Sequence, residues 1–136
     1  SRYQDEDSFM RMDGASVFDF TLKRVPDLIN DIIEVSEISK DSIDYYVLHQ
    51  PNKYILQNIK KRLDIDDTKI PHSTQSIYGN QNSASIPGTI NGFLSKEYSS
   101  KSLNSLVAGF GIGLSWGAAI IETDKIYAPK PYQCED

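Results

Sequence analysis

Nine residues, Asp44 to Asn52, constrain this chain more than any other stretch: DYYVLHQPN. Tyr45, Tyr46, Val47 and Leu48 form a short aromatic and aliphatic run, which predicts a strand covered on both faces. Pro51 has no N–H to give a neighbouring strand, so the ladder must stop before it. Asn52 suits a helix N-cap, and Ile55, Leu56, Ile59 and Leu63 recur behind it at helical spacing. The helix is expected to run from about Asn52 to Leu63, with Lys60, Lys61 and Arg62 in its last turn, where cations complement the helix dipole. In open α/β sheets, ligands bind beyond the carboxyl ends of the strands. His49 is delivered to such a place. On these residues alone, a structural histidine at a strand end is the more economical reading.

The rest of the composition narrows the classes. A chain of 136 residues with 39% hydrophobic content suits one soluble globular domain with a modest core. No apolar run has the length of a membrane span, and no signal-peptide pattern opens the chain. The net charge of -5 gives a nucleic-acid partner no electrostatic footing. One cysteine, Cys134, excludes a disulfide framework and a cysteine zinc cluster, and suits a reducing cytoplasm. The two histidines, His49 and His72, have no partners at ligand spacing, so no metal site is expected.

Taken in order, residues 1–11 read as a charged arm or loop. A helix is predicted after Asp13, with Phe18, Leu22, Val25, Ile29 and Ile32 on one apolar face. Pro26 interrupts it and predicts a kink or two consecutive helices. After the second helix, Asp64, Asp66 and Asp67 mark a loop, Thr68–His72 reads as a short strand, and His72 is expected to be exposed. Residues 73–85, STQSIYGNQNSAS, are a long polar loop of the kind that carries function. Pro87 fits the first turn of a third helix with Ile86, Ile90, Phe93 and Leu94 on its apolar face. Residues 101–104 read as a turn, Leu106–Ala108 as the start of a strand ending in GFGIG, and Ser115–Glu122 as a strand returning antiparallel. The proline-containing tail, 123–136, should be extended. Strands alternating with helices imply an α/β fold with a mostly parallel sheet, flanking helices and a terminal antiparallel hairpin.

Three polar or glycine-rich segments sit at strand ends: HQPN at 49–52, GNQNSAS at 79–85 and GFGIG at 109–113. Right-handed crossovers bring such tips to one rim of a sheet. They supply an imidazole, a side-chain amide and free backbone N–H groups, a set suited to stabilising negative charge developing on oxygen. HQPN, then YGNQNSASIP, then GFGIGLSWGAA, in that order, resemble the C-terminal half of β-ketoacyl-acyl-carrier-protein synthase III, a condensing enzyme of the thiolase superfamily. The opening MDGASVFDF resembles the first helix of that half. The resemblance covers residues 12–122.

The resemblance implies a two-half protein whose halves are five-stranded sheets with helices, related by pseudo-twofold symmetry. It implies a cysteine acylated from acyl-CoA or acyl-carrier protein, then decarboxylation of malonyl-acyl-carrier protein and attack of the carbanion on the acyl-enzyme. By position, His49 and Asn80 match the family's histidine and asparagine, which donate hydrogen bonds to the thioester enolate. Gln50 and Asn52 would support them. The Gly111–Ile112–Gly113 tip would offer the Ile112 N–H to the acyl-enzyme oxygen, although the family often has glycine at that position. Tyr54 stands where the family often carries an arginine that meets the carrier protein. Lys53 and Tyr54 are therefore the candidate carrier-protein or CoA contacts. The resemblance implies no cofactor, a homodimer, and a nucleophile in an N-terminal half that this sequence does not include. Cys134, beside Glu135 and Asp136, is a poor substitute. The chain is thus expected to be inactive alone.

Two further expectations concern the sheet. In the family order 3-2-1-4-5, the first strand would precede Ser1, leaving the strands at 45–48 and 106–108 without their common neighbour. They should then either pair directly in a four-stranded sheet or be covered by a second copy. Competing readings are acyl transfer to a hydroxyl or amine, and a non-catalytic dimerisation module. Gly113–Gly117 also fits the GxSxG pattern of a hydrolase nucleophile, but both histidines precede Ser115 and no helix follows it. GFGIG lacks the third glycine of a dinucleotide loop.

Overall fold

The computed structural model describes residues 13–132. The arm predicted over 1–11, Met12 of the opening motif and Cys134 lie outside the described residues.

Helix α1 spans Gly14–Ser36. Asp13 caps it as predicted: Oδ1 accepts the Ser16 N–H at 3.1 Å and Oδ2 the Ser16 hydroxyl at 2.6 Å. Val25 and Ile29 of the predicted stripe are buried, and Phe18 and Ile32 pack at its margins. Pro26 lies inside one helix, not between two. Proline leaves the carbonyl four residues earlier without its helical donor. That carbonyl belongs to Leu22, and Arg62 Nη1 donates to it at 3.0 Å from the next helix. The basic run at 60–62 is therefore more than a dipole complement.

Strand β1 (Tyr45–Leu48) leads through the tip to α2 (Lys53–Leu63). The Asn52 side chain caps α2 by accepting the Ile55 N–H at 2.9 Å. Ile55, Leu56, Ile59 and Leu63 form its buried face. Short helices α3 (Thr74–Tyr78), α4 (Ser85–Phe93) and α5 (Ser95–Ser100) precede the hairpin of β2 (Ser102–Gly111) and β3 (Ser115–Asp124). The sheet order is β1-β2-β3, with β1 parallel and β3 antiparallel to β2. The register runs from Tyr45 opposite Ser105 to Leu48 opposite Ala108.

Side chains alternate across this sheet with a period of two. Tyr46, Leu48, Leu106, Ala108 and Phe110 join α1 and α2 in one apolar cluster. Val47 and Leu103, with Tyr45 and Val107 at the margin, join Leu94, Tyr98 and Ala128 in the other. Strands β1 and β2 are thus covered on both faces, as the apolar run at 45–48 predicts, whereas β3 is largely exposed. Ser105, buried on the second face, accepts a hydrogen bond from the Tyr98 hydroxyl or gives one to it at 2.6 Å. Among the described residues, no helix is long and apolar enough to cross a membrane.

Several local expectations are corrected. Residues 68–72 are not a strand: Asp66 accepts the Thr68 N–H at 2.8 Å and folds Asp67–Lys69 into a 3-10 turn. Local side-chain-to-backbone bonding here outweighs the strand preference of Thr68 and Ile70. His72 is half-buried, not exposed, with Nδ1 3.1 Å from the Ile70 carbonyl. Residues 102–104 are the start of β2, not a turn, and Ser102 Oγ donates to Asp124 across the hairpin at 2.7 Å. The polar loop at 73–85 contains α3 and a 3-10 turn at Asn82–Ala84. The strands at 45–48 and 106–108 do pair directly. The sheet has three strands among the described residues and not four, because 68–72 does not contribute one.

Candidate active site

A cavity of about 790 Å³ opens at the carboxyl end of β1. Three predicted segments meet there: His49 and Asn52 after β1, Asn80 from the segment before α4, and Gly111 and Ile112 from the β2 tip all line it. Parallel pairing of β1 with β2 is the reason. The His49 N–H continues the ladder to the Ala108 carbonyl at 2.8 Å, so the histidine and the glycine tip leave the sheet side by side.

The histidine ring is tightly placed. Phe110 meets it edge to face, with ring centroids 5.4 Å apart. Its Nδ1 lies 3.0 Å from the hydroxyl of Ser85, at the start of α4. Burial pushes the imidazole below its ordinary pKa of 6.5, and the nearby Asn82 carbonyl partly opposes this. His49 is therefore a neutral ring at neutral pH.

Asn80 is exposed and oriented by its own loop. Its Oδ1 accepts the Asn82 N–H at 2.9 Å, which leaves the amide NH₂ as the free end. Gly79 makes this possible with φ +71 and ψ −169, a conformation closed to residues with a Cβ. A neutral imidazole and an amide donor beside one cavity suit an oxygen that gains negative charge.

Other predicted residues stand apart. Gln50 is fully buried behind the tip, where its amide nitrogen donates to the Leu48 and Pro71 carbonyls at 3.1 and 3.0 Å. It supports the turn without facing the cavity. Gly113 and Lys53 do not line the cavity. Tyr54 is 62% exposed and stacks on Phe18, a lining residue, at 5.6 Å between centroids. Ser115 hydrogen-bonds the Ile112 carbonyl at 3.0 Å and opens β3, so no strand-turn-helix elbow exists for a hydrolase nucleophile.

Sequence reasoning missed Phe18, Phe110 and Trp116 as cavity walls, and Ser85 as the partner of His49. The aromatic walls read from sequence as core or strand residues. Ser85 lay within the polar loop already singled out, and its spacing from His49 gives no local signal.

Residues 33–123 match the family described as 3-oxoacyl-[acyl-carrier-protein (ACP)] synthase III C terminal. The chain is 40% identical over 131 residues to the β-ketoacyl-[acyl-carrier-protein] synthase III of Streptococcus agalactiae, covering 90% of this chain and 39% of that relative. It is 39% identical over 121 residues to the enzyme of the same name from Lactococcus lactis, covering 85% of this chain and 36% of that relative. The chain thus spans well under half the length of these curated relatives. A crystal structure of a 3-oxoacyl-(acyl-carrier protein) synthase from Burkholderia xenovorans superposes with a TM-score of 0.83 at 31% identity, covering 88% of this chain and 34% of that one. With the β1 tip, the asparagine loop and the glycine hairpin meeting at one cavity, the chain belongs to the C-terminal domain family of the thiolase-like 3-oxoacyl-acyl-carrier-protein synthases III.

Proposed function

We propose that this domain is the C-terminal catalytic half of a decarboxylating condensing enzyme that joins an acyl thioester to malonyl-acyl-carrier protein. The observation that carries the reading is the meeting of a neutral His49 ring with the Asn80 amide at one cavity. In this reading the acyl group rides on a cysteine supplied by an N-terminal half, which packs against this domain. Malonyl thioester then loses CO₂, and the electron pair of the broken C–C bond passes into the thioester as an enolate. His49 Nε2–H and the Asn80 amide donate to the enolate oxygen. The carbanion carbon attacks the acyl-enzyme carbonyl, and the cysteine thiolate leaves. The Ile112 N–H would meet the oxygen of that tetrahedral intermediate. The enzyme would act as a homodimer in the cytoplasm, without a cofactor.

Removing one preorganised donor of this type costs about 2.7–4 kcal/mol of barrier. In the complete enzyme, His49→Ala and Asn80→Ala should each slow malonyl decarboxylation by about 10²–10³ and leave acylation of the cysteine intact. The assignment fails if either variant blocks acylation and spares decarboxylation. Isolated residues 1–136 should neither condense nor self-acylate, and a stable acyl adduct on Cys134 or Ser115 by mass spectrometry would overturn that.

Tyr54 favours a second reading of the acyl donor. It places a stacked ring, not a cation, beside the cavity, and leaves exposed Lys53 as its charged neighbour. That arrangement suits the adenine of an acyl-CoA better than an acidic carrier protein. It also leaves room for acyl transfer to a hydroxyl or an amine.

A further inference from the structure

Asn80 lies in an exposed run of chain. From Ser76 to Ala84, Gln81 is the one residue that is not exposed. Its side chain does not line the cavity but lies on α4, where Oε1 is buried and takes no hydrogen bond from the described residues. It rests on Gly88. A Cβ at that position would stand 2.5 Å from Gln81 Oε1 and 3.4 Å from its Cδ, so only glycine leaves room for the amide where it lies. Glycine is a poor residue for a helix interior, and alanine would favour α4 on its own account. Gly88 thus works against its helix and for the contact with Gln81.

The turn meets α4 at a second point. Gly92 lies one helical turn beyond Gly88 on the same face, and Tyr78 Cε2 is 3.7 Å from where its Cβ would be. Tyr78 and Gln81 therefore rest on α4 on either side of Gly79 and Asn80. The two glycines are not equivalent. At Gly92 a methyl group would meet Tyr78 in ordinary contact, whereas at Gly88 it would displace Gln81. Helix α4 is a firm base for the turn. Thr89 donates its hydroxyl to the Ser85 carbonyl at 2.7 Å and lies 2.8 Å from the Thr74 hydroxyl of α3, and both threonines are fully buried.

Among the described residues, the Asn80 side chain bonds only the Asn82 N–H, so the turn itself sets where the amide points. Gln81 is the residue between them. We propose that Gln81 is a positioning residue: seated in the slot over Gly88, it fixes the turn that presents the Asn80 amide to the cavity. The seat works by shape, since the buried Oε1 takes no hydrogen bond there. The proposal rests on the reading of Asn80 as a donor to the enolate oxygen.

Three single variants and one double variant test it. Gln81→Ala empties the slot, Gly88→Ala fills it from below, and Gly92→Ala makes the same change one turn away without a clash. Amide exchange at Asn82 should quicken about tenfold or more in the first two and stay at the wild-type rate in the third, with β2 unchanged in all. Adding Gly88→Ala to Gln81→Ala should quicken it no further. Wild-type exchange in Gln81→Ala would overturn the proposal even if Gly88→Ala folds poorly. Equal quickening in Gly92→Ala would also overturn it, by tracing the effect to the helix and not to the slot. In the complete enzyme, Gln81→Ala and Gly88→Ala should each lower kcat for malonyl decarboxylation by about tenfold and leave cysteine acylation unchanged. Gln81→Met, which refills the slot with a stem of similar length and no amide, should recover most of that loss. Failure of Gln81→Met with a restored exchange rate would overturn a seat that works by shape alone. Quickened exchange with unchanged decarboxylation would uphold the hold of Gln81 on the turn and overturn the donor role of Asn80.

Discussion

The Phe110 ring stands edge-on to the His49 imidazole, with the two planes at 80° and the centroids 5.4 Å apart. The contact joins the core to the cavity. Phe110 is 8% exposed and belongs to the apolar cluster under α1 and α2, yet it also lines the cavity. One side chain thus both fills the core and fixes one side of the ring.

Phe110→Ala should therefore cost stability and placement together. Deleting a buried phenylalanine ring typically costs about 3–5 kcal/mol. Urea denaturation should show a lower midpoint at an unchanged slope, and Phe110→Leu should lose less. A loss below about 1 kcal/mol would mean that the ring packs more loosely than its burial implies.

The His49 ring should make stability fall with acid. Burial lowers its pKa in the folded state below the ordinary 6.5. Between those two values the unfolded chain binds more protons than the folded one. The contribution is therefore complete above the unfolded pKa and is lost as pH falls from there toward the folded value. His49→Gln should flatten that part of the stability–pH profile, measured by urea denaturation from neutral pH downward. A variant with the same acid slope as the wild type would assign the slope to other groups.

Gly79→Ala should damage the asparagine loop before it damages the core. Its φ of +71 with ψ −169 is a region that a Cβ closes, and nothing lies within 4 Å of where the Cβ would stand. The cost is therefore backbone strain, about 1–3 kcal/mol, and not a clash. Relief of that strain would move Asn80, the next residue. Amide exchange at Asn82, whose N–H bonds Asn80 Oδ1 at 2.9 Å, should quicken more than exchange in β2. Uniform quickening across the domain would contradict a local effect.

These cases also mark where the sequence speaks and where it does not. The strand at 45–48 and the helix behind it are legible because Pro51 and Asn52 act on their own neighbours, one by lacking an N–H and one by capping. His49, Asn80 and the glycine tip are legible because each sits in a motif at an element's end. Other features depend on partners far along the chain. Ser102 and Asn104 look like turn residues until β3 pairs with them. Ser85 looks like loop polarity until the parallel pairing of β1 with β2 and the packing of α4 set it against His49. At 68–72 the balance is reversed: the apolar residues suggest a strand, and a purely local bond from Asp66 decides otherwise.

Pro26 and Arg62 supply the last test, because the bond between their helices falls on the carbonyl that Pro26 leaves without a helical donor. Arg62 Nη1 donates to the Leu22 carbonyl at 3.0 Å, the group that residue 26 would serve if it had an N–H. Arg62 also approaches Asp27 at 3.6 Å, but both side chains are more than half exposed, so that ion pair adds little. Arg62→Ala should then cost about 0.5–1 kcal/mol, the net worth of one exposed hydrogen bond. In a Pro26→Ala background the backbone N–H restored at position 26 can serve Leu22 within the helix, and the same Arg62→Ala change should cost less. A double-mutant cycle by denaturation should give a coupling of about 0.5–1 kcal/mol between positions 26 and 62. Additive losses would show that Arg62 stabilises α1 through its charge or its stem, and not by replacing the donor that Pro26 lacks.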